Sequence, residues 1–215
     1  MIEKKECLWY KSLVKTNYNE KMKSIIDELN GERKTLLLHS CCAPCSSSVI
    51  ERLSRFFDIT IFYYNPNILP KEEYEKRKAE QKRLIEMLNK ENENQIKFLD
   101  CDNNSEDFFC AIKGKESLEE GSLRCKECYR FRIKKTAQMA KENKFDFYST
   151  TLSVSPHKNV EWINEIMEEI YESDKSVRPL FSDFKKENGY LSSIVLAKKF
   201  DLYRQNYCGC RPNKV

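Results

Sequence analysis

An apolar run that leads directly into three cysteines constrains this chain more than any other stretch. Residues 36–48 read LLLHSCCAPCSSS, so a segment typical of a buried strand is followed by Cys41, Cys42 and Cys45. Pro44 and the serines after it suit the first turn of a helix. In an open α/β sheet the turn after the first strand often binds ligands. A lone cysteine is most simply a small buried residue, but three within five positions indicate a functional site.

The composition predicts a single folded domain. The 215 residues are 40% hydrophobic and 33% charged, with 5 Gly and 6 Pro, which is typical of a helix-rich globular chain. We expect residues 1–30 to form an N-terminal arm and helix, and residues 31–215 to form one α/β catalytic domain. No membrane-spanning run or signal peptide is recognisable. A cytoplasmic location without a membrane partner is therefore expected, and the net charge of +4 does not identify a partner.

The order of elements predicts an α/β fold. Residues 34–39 and 58–64 have the composition of strands, and a helical pattern separates them, which is the repeating unit of a parallel sheet. Further strands are predicted at 96–100, 145–150 and 177–181, and helices at 71–89, 105–113, 124–143, 157–172 and 191–200. We therefore predict a Rossmann-like, mostly parallel sheet of about five strands flanked by helices. The charged helix at 71–89 is expected to face solvent apart from a thin apolar stripe.

Ten cysteines accompany only two histidines. Without an export signal this excess indicates metal or redox chemistry rather than structural disulfides. Because parallel strands end at one edge of the sheet, the turn at Cys41 and Cys42 and the block Cys125-x-x-Cys128 are expected to converge into a four-thiolate site. Both zinc and an iron–sulfur cluster remain open as occupants.

The tail sequence Cys208-Gly209-Cys210 predicts a different chemistry. A disulfide between these residues would close a very small ring, and strained disulfides are the labile, redox-active ones. A pair of metal ligands is the alternative. The role of Cys45 stays open, because Cys42 and Cys45 also have a two-residue spacing. The remaining cysteines, Cys7, Cys101 and Cys110, are expected to be incidental or buried.

Several sequence blocks follow one another along the chain: Leu38–Ser46, Asn65-Pro66-Asn67-Ile68, Arg124-Cys125-x-x-Cys128-Tyr129, Thr150-Thr151-Leu152, Ser155-Pro156-x-Lys158, Asp183-Phe184-Lys185-Lys186 with Gly189-Tyr190, and Tyr203-Arg204-Gln205-x-Tyr207-Cys208-Gly209-Cys210. Together, and in this order, they resemble the QueH-type epoxyqueuosine reductases. The resemblance covers nearly the whole chain after the first thirty or so residues. Two departures concern loops: Gly121-Ser122 stands where two glycines are usual, and Cys101 where tyrosine is common.

The resemblance implies an oxidoreductase that removes the epoxide oxygen of epoxyqueuosine at the wobble position (34) of tRNA, the last step of queuosine biosynthesis. It also implies a sheet of the nucleotide α-hydrolase type. By motif, Cys41, Cys42, Cys125 and Cys128 match the family's [4Fe-4S] ligands, and Cys208 with Cys210 match its redox-active pair. The reaction consumes two electrons and two protons, so an external electron donor is expected. An additional iron acting as Lewis acid on the epoxide oxygen is a further expectation.

The proton donor and the RNA contacts are less defined by the sequence. Asp102 is a candidate catalytic residue, as metal contact or proton donor, or else a surface aspartate. His39 is either a proton donor or a core residue, and Tyr63, Tyr64 and Tyr129 either stack on a base or belong to the core. Phosphate contacts are expected among Lys71, Arg77, Arg130, Arg132, Lys158, Lys185, Lys186 and Arg204.

Two other functions compete with the reductase. An ATP-dependent tRNA thiolation enzyme on a similar fold would bind pyrophosphate at the first-strand turn, but residues 40–44 contain no glycine to admit a phosphate. A zinc-stabilised RNA-binding module would use the cysteines only to hold loops together. Metal content separates this module from an iron–sulfur enzyme.

Overall fold

Five parallel strands and the helices between them form the structure. The computed structural model describes residues 15–91, 95–101 and 104–210. The strands are β1 (Lys34–His39), β2 (Phe57–Tyr63), β3 (Lys97–Asp100), β4 (Phe147–Thr150) and β5 (Arg178–Pro179). The helices are α1 (Tyr18–Asp27), α2 (Ala43–Leu53), α3 (Lys71–Glu91), α4 (Ser105–Ala111), α5 (Leu123–Glu142), α6 (Val160–Ser173) and α7 (Gly189–Lys199). A short 3-10 helix, Thr151–Val154, follows β4 directly.

β1 lies at the centre of the sheet, whose strand order is β3-β2-β1-β4-β5. Each neighbouring pair is parallel. The leucines at 36–38 are completely buried, as expected for a parallel strand covered on both faces. The register pairs His39 with Phe62 on one side and Thr150 on the other. The prediction of an α/β fold with about five parallel strands is confirmed.

The strand order reverses at β1, because β2 and β3 follow on one side and β4 and β5 on the other. Open α/β sheets bind ligands at such a switch point, outside the carboxyl ends of the strands. The turn after His39 and the 3-10 helix after Thr150 both lie at this place. The fold therefore puts the cysteine-rich turn where a ligand is expected.

Two sets of helices pack around the sheet, one built on α2 and the other on α5. α2 packs on α3 and α7, while α5 packs on α4, α6, β1 and β4. The buried residues of α5 recur at helical spacing and include Cys125, Cys128, Arg132, Thr136 and Ala140. One face of α5 thus carries both core residues and the second cysteine pair. None of the described helices is both long and apolar enough to cross a lipid bilayer.

Several element boundaries differ from the prediction by one to three residues, and the differences at α6 and β5 have a clear physical reason. α6 begins at Val160 rather than near residue 157, because the side chain of Asn159 accepts a hydrogen bond from the backbone N–H of Trp162 (3.0 Å) and caps the helix. β5 is reduced to Arg178–Pro179, and a proline is tolerated there because the strand lies at the edge of the sheet.

α3 differs from the prediction in its surroundings. The expected solvent-facing helix buries three polar residues, Glu73, Arg77 and Gln81. They are spaced by four and therefore lie on one face. The segment after α7 covers part of this face, since the hydroxyl of Tyr203 donates to the carboxylate of Glu73. Sequence periodicity marks the shared face but cannot show that a distant segment covers it.

Candidate metal and redox site

Hydrogen bonds from β2, the loop after it and α3 hold the cysteine-rich turn. The backbone N–H of Ser40 donates to the carbonyl oxygen of Phe62 (3.0 Å), and Nδ2 of Asn65 donates to the carbonyl oxygen of Ser40 (2.8 Å). The hydroxyls of Ser40 and Ser46 both donate to Oε1 of Gln81, at 2.7 and 2.9 Å. These bonds fix the backbone of the turn relative to β2 and α3.

Three sulfurs meet at this turn. The Sγ atoms of Cys41, Cys42 and Cys45 all lie within 4.8 Å of one another. Cys42 is the N-cap residue of α2 and Cys45 lies in its first turn. The sequence left the role of Cys45 open, and the structure brings it to the other two sulfurs. The two-residue spacing between Cys42 and Cys45 was the signal for this arrangement.

The three neighbouring thiols differ in pKa. Hydrogen bonds from Cys42 and Cys45 hold the pKa of Cys41 well below its ordinary value, and the charges of Arg132 and Lys158 lower it further, against the effect of burial. The contact with Cys41, together with burial, raises the pKa of Cys42 to about 11. The contacts with Cys41 and Cys42 raise the pKa of Cys45 as well. One thiolate with two neighbouring thiols is a ligand set suited to soft metal ions.

The second cysteine pair lies at the start of α5. Cys125 and Cys128 are both buried, and Sγ of Cys125 accepts a hydrogen bond from the backbone N–H of Gly121 (3.3 Å). Burial raises the pKa of Cys128. Within the described ranges, neither sulfur belongs to the tight group of the first three cysteines. Ligation of one cluster by Cys41, Cys42 and this pair therefore stays a prediction.

A buried cation lies between the cysteine groups. Arg132 is 3% exposed, its Nε donates to the carbonyl oxygen of Cys128 (3.2 Å), and its Nη1 donates to Oδ1 of Asn65 (3.5 Å). The same guanidinium interacts electrostatically with the thiols of Cys128, Cys41 and Cys208. One side chain thus connects the first-strand turn, α5 and the C-terminal tail.

The tail places two further sulfurs beside α5. The Sγ atoms of Cys208 and Cys210 are 3.5 Å apart and not bonded, and Nη1 of Arg124 donates to Sγ of Cys210 (3.3 Å). The hydrogen bond from Cys210 lowers the pKa of Cys208 well below its ordinary value, and Lys158 lowers it further, whereas the same bond raises the pKa of Cys210. A thiolate in contact with a thiol is the reactive form of such a pair. A disulfide between them stays a prediction.

One cavity of about 500 Å³ joins the first-strand turn to the tail. Its wall includes Cys41, Cys42 and Cys45 from the turn and Cys208 from the tail. Basic side chains surround the thiols, namely those of Arg77, Arg132, Lys158 and Arg204. The cavity has the volume typical of small-molecule sites, and its charge favours an anionic ligand.

His39 is a satisfied core residue. Its Nε2 donates to the carbonyl oxygen of Tyr64 (3.1 Å), so its Nδ1 accepts from the hydroxyl of Thr150 (2.9 Å). Burial, with the nearby charge of Arg132, lowers the pKa of His39 to about 4. The imidazole is therefore neutral and fully bonded, which favours the core alternative over a proton donor. The three tyrosines considered for base stacking, Tyr63, Tyr64 and Tyr129, are likewise buried.

Asp102, the predicted catalytic carboxylate, lies outside the described residues, as does Cys7. Its neighbours Asp100 and Cys101 line a separate cavity of about 730 Å³ at the end of β3. Asp100 pairs there with Lys78 (2.5 Å). The role of Asp102 stays a prediction.

The basic residues proposed for RNA binding differ in their surroundings. Arg77, Arg132, Lys158 and Arg204 line the cavity that holds the thiols, and of these Lys158 and Arg204 are not buried, so these two are best placed to contact a ligand. Arg130 pairs with Glu169 and Lys185 with Asp183 (3.4 Å). Lys71 lines the separate cavity at the end of β3, and Lys186 lines a third cavity with Lys158.

Two buried arginines test whether an anionic metal group fits this site. Arg124 and Arg132 are both 3% exposed, and in the part of the chain that the structure describes neither has a carboxylate at ion-pair distance. Nε and Nη2 of Arg124 have no hydrogen-bond partner there. An unpaired buried charge costs several kcal/mol. Two such cations beside cysteine sulfurs fit a thiolate-ligated iron–sulfur cluster, which is anionic.

Gln81, which holds two serines of the turn, was not among the predicted site residues, and Arg132 was predicted only as a phosphate contact. A signal for Arg132 was present, because it follows Cys128 by one helical turn and Cys125 by two on the same face of α5. For Gln81 the spacing of four from Arg77 was the available signal.

The fold and the site define a Rossmann-like α/β protein with a group of cysteine thiols, suited to metal binding or redox chemistry, at the carboxyl edge of its sheet. The family model for epoxyqueuosine reductase QueH matches residues 36–213. The chain belongs to this QueH family and is an oxidoreductase.

Curated relatives agree with this assignment. The epoxyqueuosine reductase QueH of Streptococcus pyogenes serotype M1 is 38% identical over 91% of this chain and 77% of its own length. The QueH of Staphylococcus epidermidis is 37% identical over 98% of this chain and 90% of its own length. The QueH of Thermotoga maritima is 34% identical over 82% of this chain and 88% of its own length. A solved structure of the U34-tRNA thiolase NcsA from Methanococcus maripaludis with its [4Fe-4S] cluster aligns with 89% of this chain and 67% of its own, with a TM-score of 0.46 and 14% identity.

Proposed function

We propose that this chain reduces epoxyqueuosine at the wobble position of tRNA to queuosine. Membership in the QueH family supports this activity. The structural observation that carries the proposal is the cavity that Cys208 shares with Cys41, Cys42 and Cys45. A redox-active sulfur and a set of metal ligands that face one space can act on one substrate.

The electron balance of the reaction fits the tail cysteines. Converting an epoxide to an alkene and water consumes two electrons and two protons. Oxidation of the dithiol of Cys208 and Cys210 to a disulfide releases two electrons and two protons. The sulfurs are already 3.5 Å apart, so forming the S–S bond requires a small movement. An external dithiol or another electron donor would then reduce the disulfide.

The proposed cofactor is a [4Fe-4S] cluster held by Cys41, Cys42, Cys125 and Cys128. When bound, it supplies single-electron transfer, and an additional iron would supply Lewis acidity at the epoxide oxygen. The protein contributes the charges around it, because Arg132 and Lys158 act on thiols from both cysteine groups. Burial lowers the pKa of Lys158, but the thiolate of Cys208 and other anionic groups outweigh burial and raise it, so this ammonium stays charged.

The tRNA would approach from the open side of the cavity. Arg204 is exposed there and stacks on Tyr190, with the guanidinium carbon 5.5 Å from the ring centroid. Guanidinium and aromatic planes of this kind stack on unpaired bases, and lysines such as Lys158 bind phosphates. Binding should therefore weaken steeply as salt is added. A flat salt dependence would argue against RNA as the substrate.

Metal and nucleoside analysis test the proposal. The protein is purified without oxygen and assayed for iron, sulfide and zinc, and its tRNA product is digested and analysed by mass spectrometry. We expect an iron- and sulfide-containing protein that converts epoxyqueuosine to queuosine. A colourless protein that contains only zinc would end the reductase interpretation and favour the RNA-binding module.

A further inference from the structure

A buried ion pair on α3 lies beneath the redox-active tail. Nε of Arg77 donates to Oε1 of Glu73 at 2.6 Å, and the two side chains are 4% and 9% exposed. Buried ion pairs seldom add net stability, since both charges lose their hydration, and the best-attested use of such pairs is to fix one arrangement of the chain. The contacts of this pair show which arrangement it fixes.

The tail contacts both members of the pair. The hydroxyl of Tyr203 lies 3.1 and 3.2 Å from the two carboxylate oxygens of Glu73 and donates to that group. Four residues later, the ring centroid of Tyr207 lies 5.3 Å from the guanidinium carbon of Arg77, a cation–π distance. Tyr207 directly precedes Cys208, and Arg77 lines the same cavity as both.

A third contact fixes the tail on the other side of Cys208. The carbonyl oxygen of Gly209 accepts a hydrogen bond from the backbone N–H of Leu69 (2.9 Å). Cys208 is thus held between an aromatic contact to α3 and a backbone contact to the loop before α3. Chain ends without such contacts are usually mobile.

We infer that Glu73 and Arg77 form a clamp that positions Cys208 over the thiols of the first-strand turn. The two are positioning residues, because they act on the tail through Tyr203 and Tyr207. The effect of the clamp on catalysis rests on the proposed redox role of the tail. The clamp itself is a property of the folded chain.

Hydrogen exchange tests the clamp without any activity assay. The full-length reduced protein is compared with Glu73→Gln, Arg77→Gln and Tyr203→Phe, and exchange of residues 203–210 is followed by mass spectrometry. Loss of a hydrogen bond to a charged group should speed exchange of the tail about tenfold or more. The alkylation rate of Cys208 by N-ethylmaleimide should rise with it. Tyr203→Phe removes one hydroxyl only, so it keeps the test valid if a charge variant fails to fold.

Arg33→Gln is the matched control. Arg33 also binds a carboxylate, donating to Asp58 at 2.7 and 3.0 Å, and it precedes β1 at the opposite end of that strand from the cysteines. This variant should leave the tail and Cys208 unchanged. Arg77→Lys keeps the positive charge, so it should retain part of the protection of the tail that Arg77→Gln loses. If the variants merely destabilised the helix, the two substitutions would not differ in this way.

The outcomes separate the clamp from the proposed function. Unchanged exchange of residues 203–210 in all three variants would overturn the clamp, whatever the activity. A loosened tail with a lowered kcat and an unchanged KM for tRNA supports positioning of the redox pair. A loosened tail with unchanged kcat would overturn its role in positioning for the reaction. Failure of the unmodified protein to reduce epoxyqueuosine would instead remove the proposed function and leave the exchange results standing.

Discussion

Nε of Arg132 donates a hydrogen bond to the carbonyl oxygen of Cys128 at 3.2 Å, from a position where the guanidinium is 3% exposed. Both residues lie on the buried face of α5, one turn apart. The bond ties the cation to the backbone that carries a predicted cluster ligand. The positive charge of Arg132 also acts on the thiols of Cys41 in the first-strand turn and Cys208 in the tail.

Arg132→Met should weaken loading of an iron–sulfur cluster. The variant removes both the bond to Cys128 and the positive charge beside the sulfurs, and loss of a partner of this kind typically lowers metal affinity by about 10- to 100-fold. The measurement is iron per chain after anaerobic reconstitution with limiting iron and sulfide. Arg130→Met is the control, since Arg130 lies on the same helix but pairs with Glu169 at its surface. Equal iron contents in the variant and the unmodified protein would contradict this role.

Gly209→Ala should displace the tail. An added Cβ would lie 2.8 Å from Cγ1 and 3.0 Å from Cα of Ile68, and real Cβ contacts are not this short. The bond from Leu69 to Gly209 would lengthen, so we expect Cys208 to be alkylated faster and turnover to fall. Combining it with Ile68→Ala removes the Cγ1 contact and should restore part of the activity. Normal turnover of the single variant would show that the close approach has no role.

Cys45→Ala should weaken binding of a soft metal ion at the first-strand turn. The three sulfurs lie within 4.8 Å of one another, so the variant removes one of three donors. Titration of the reduced, cluster-free protein with Cd²⁺, followed by thiolate charge-transfer absorbance, measures the effect. Cys110→Ala is the control because Cys110 is exposed. An unchanged titration for Cys45→Ala would assign this residue to packing.

His39 should make the stability of the protein depend on pH in the acidic range. Its pKa is lowered from 6.5 to about 4 in the folded state, so between these values the unfolded chain binds a proton that the folded chain does not. The free energy of unfolding therefore falls as pH is lowered from 6.5 to 4, by about 3 kcal/mol in total. Below the folded pKa both states are protonated and this contribution stops changing.

The measurement is urea unfolding of the unmodified protein and His39→Gln at several pH values. The difference between the two isolates His39 from the acidic residues that also titrate. We expect the difference in unfolding free energy to shrink as pH falls. Two parallel curves would contradict a buried neutral imidazole.

The sequence predicts the sheet well because its pattern is local. Residues 36–38 are apolar on both faces of the strand, as expected for a central parallel strand. The cysteines of the turn that follows are also close together in the sequence, so the candidate site is visible there. Topology also predicts that the Cys41 turn and the start of α5 converge, since parallel strands end at one edge, but a single cluster bound by both cysteine pairs stays a prediction.

The clamp and the charge arrangement could not be predicted in the same way. Glu73 and Arg77 have the composition of an exposed helix face, but both are buried and contact Tyr203 and Tyr207, which return from the distant tail. Burial of a polar residue by a segment so far along the chain leaves no local pattern. The start of α6 differs from the prediction for a smaller reason, because the side chain of Asn159 caps the helix three residues further along the chain than expected.

We propose that the tail thiols and the predicted metal ligands act together to reduce epoxyqueuosine. To test this, the anaerobic, iron-loaded and prereduced protein is incubated with tRNA that carries epoxyqueuosine, and both the digested nucleosides and the thiols of Cys208 and Cys210 are then analysed by mass spectrometry. We expect the nucleoside to lose one oxygen while these two thiols become oxidised. Conversion with both thiols still free would contradict the assigned electron route, and persistence of epoxyqueuosine with fully iron-loaded, reduced protein would contradict the function itself.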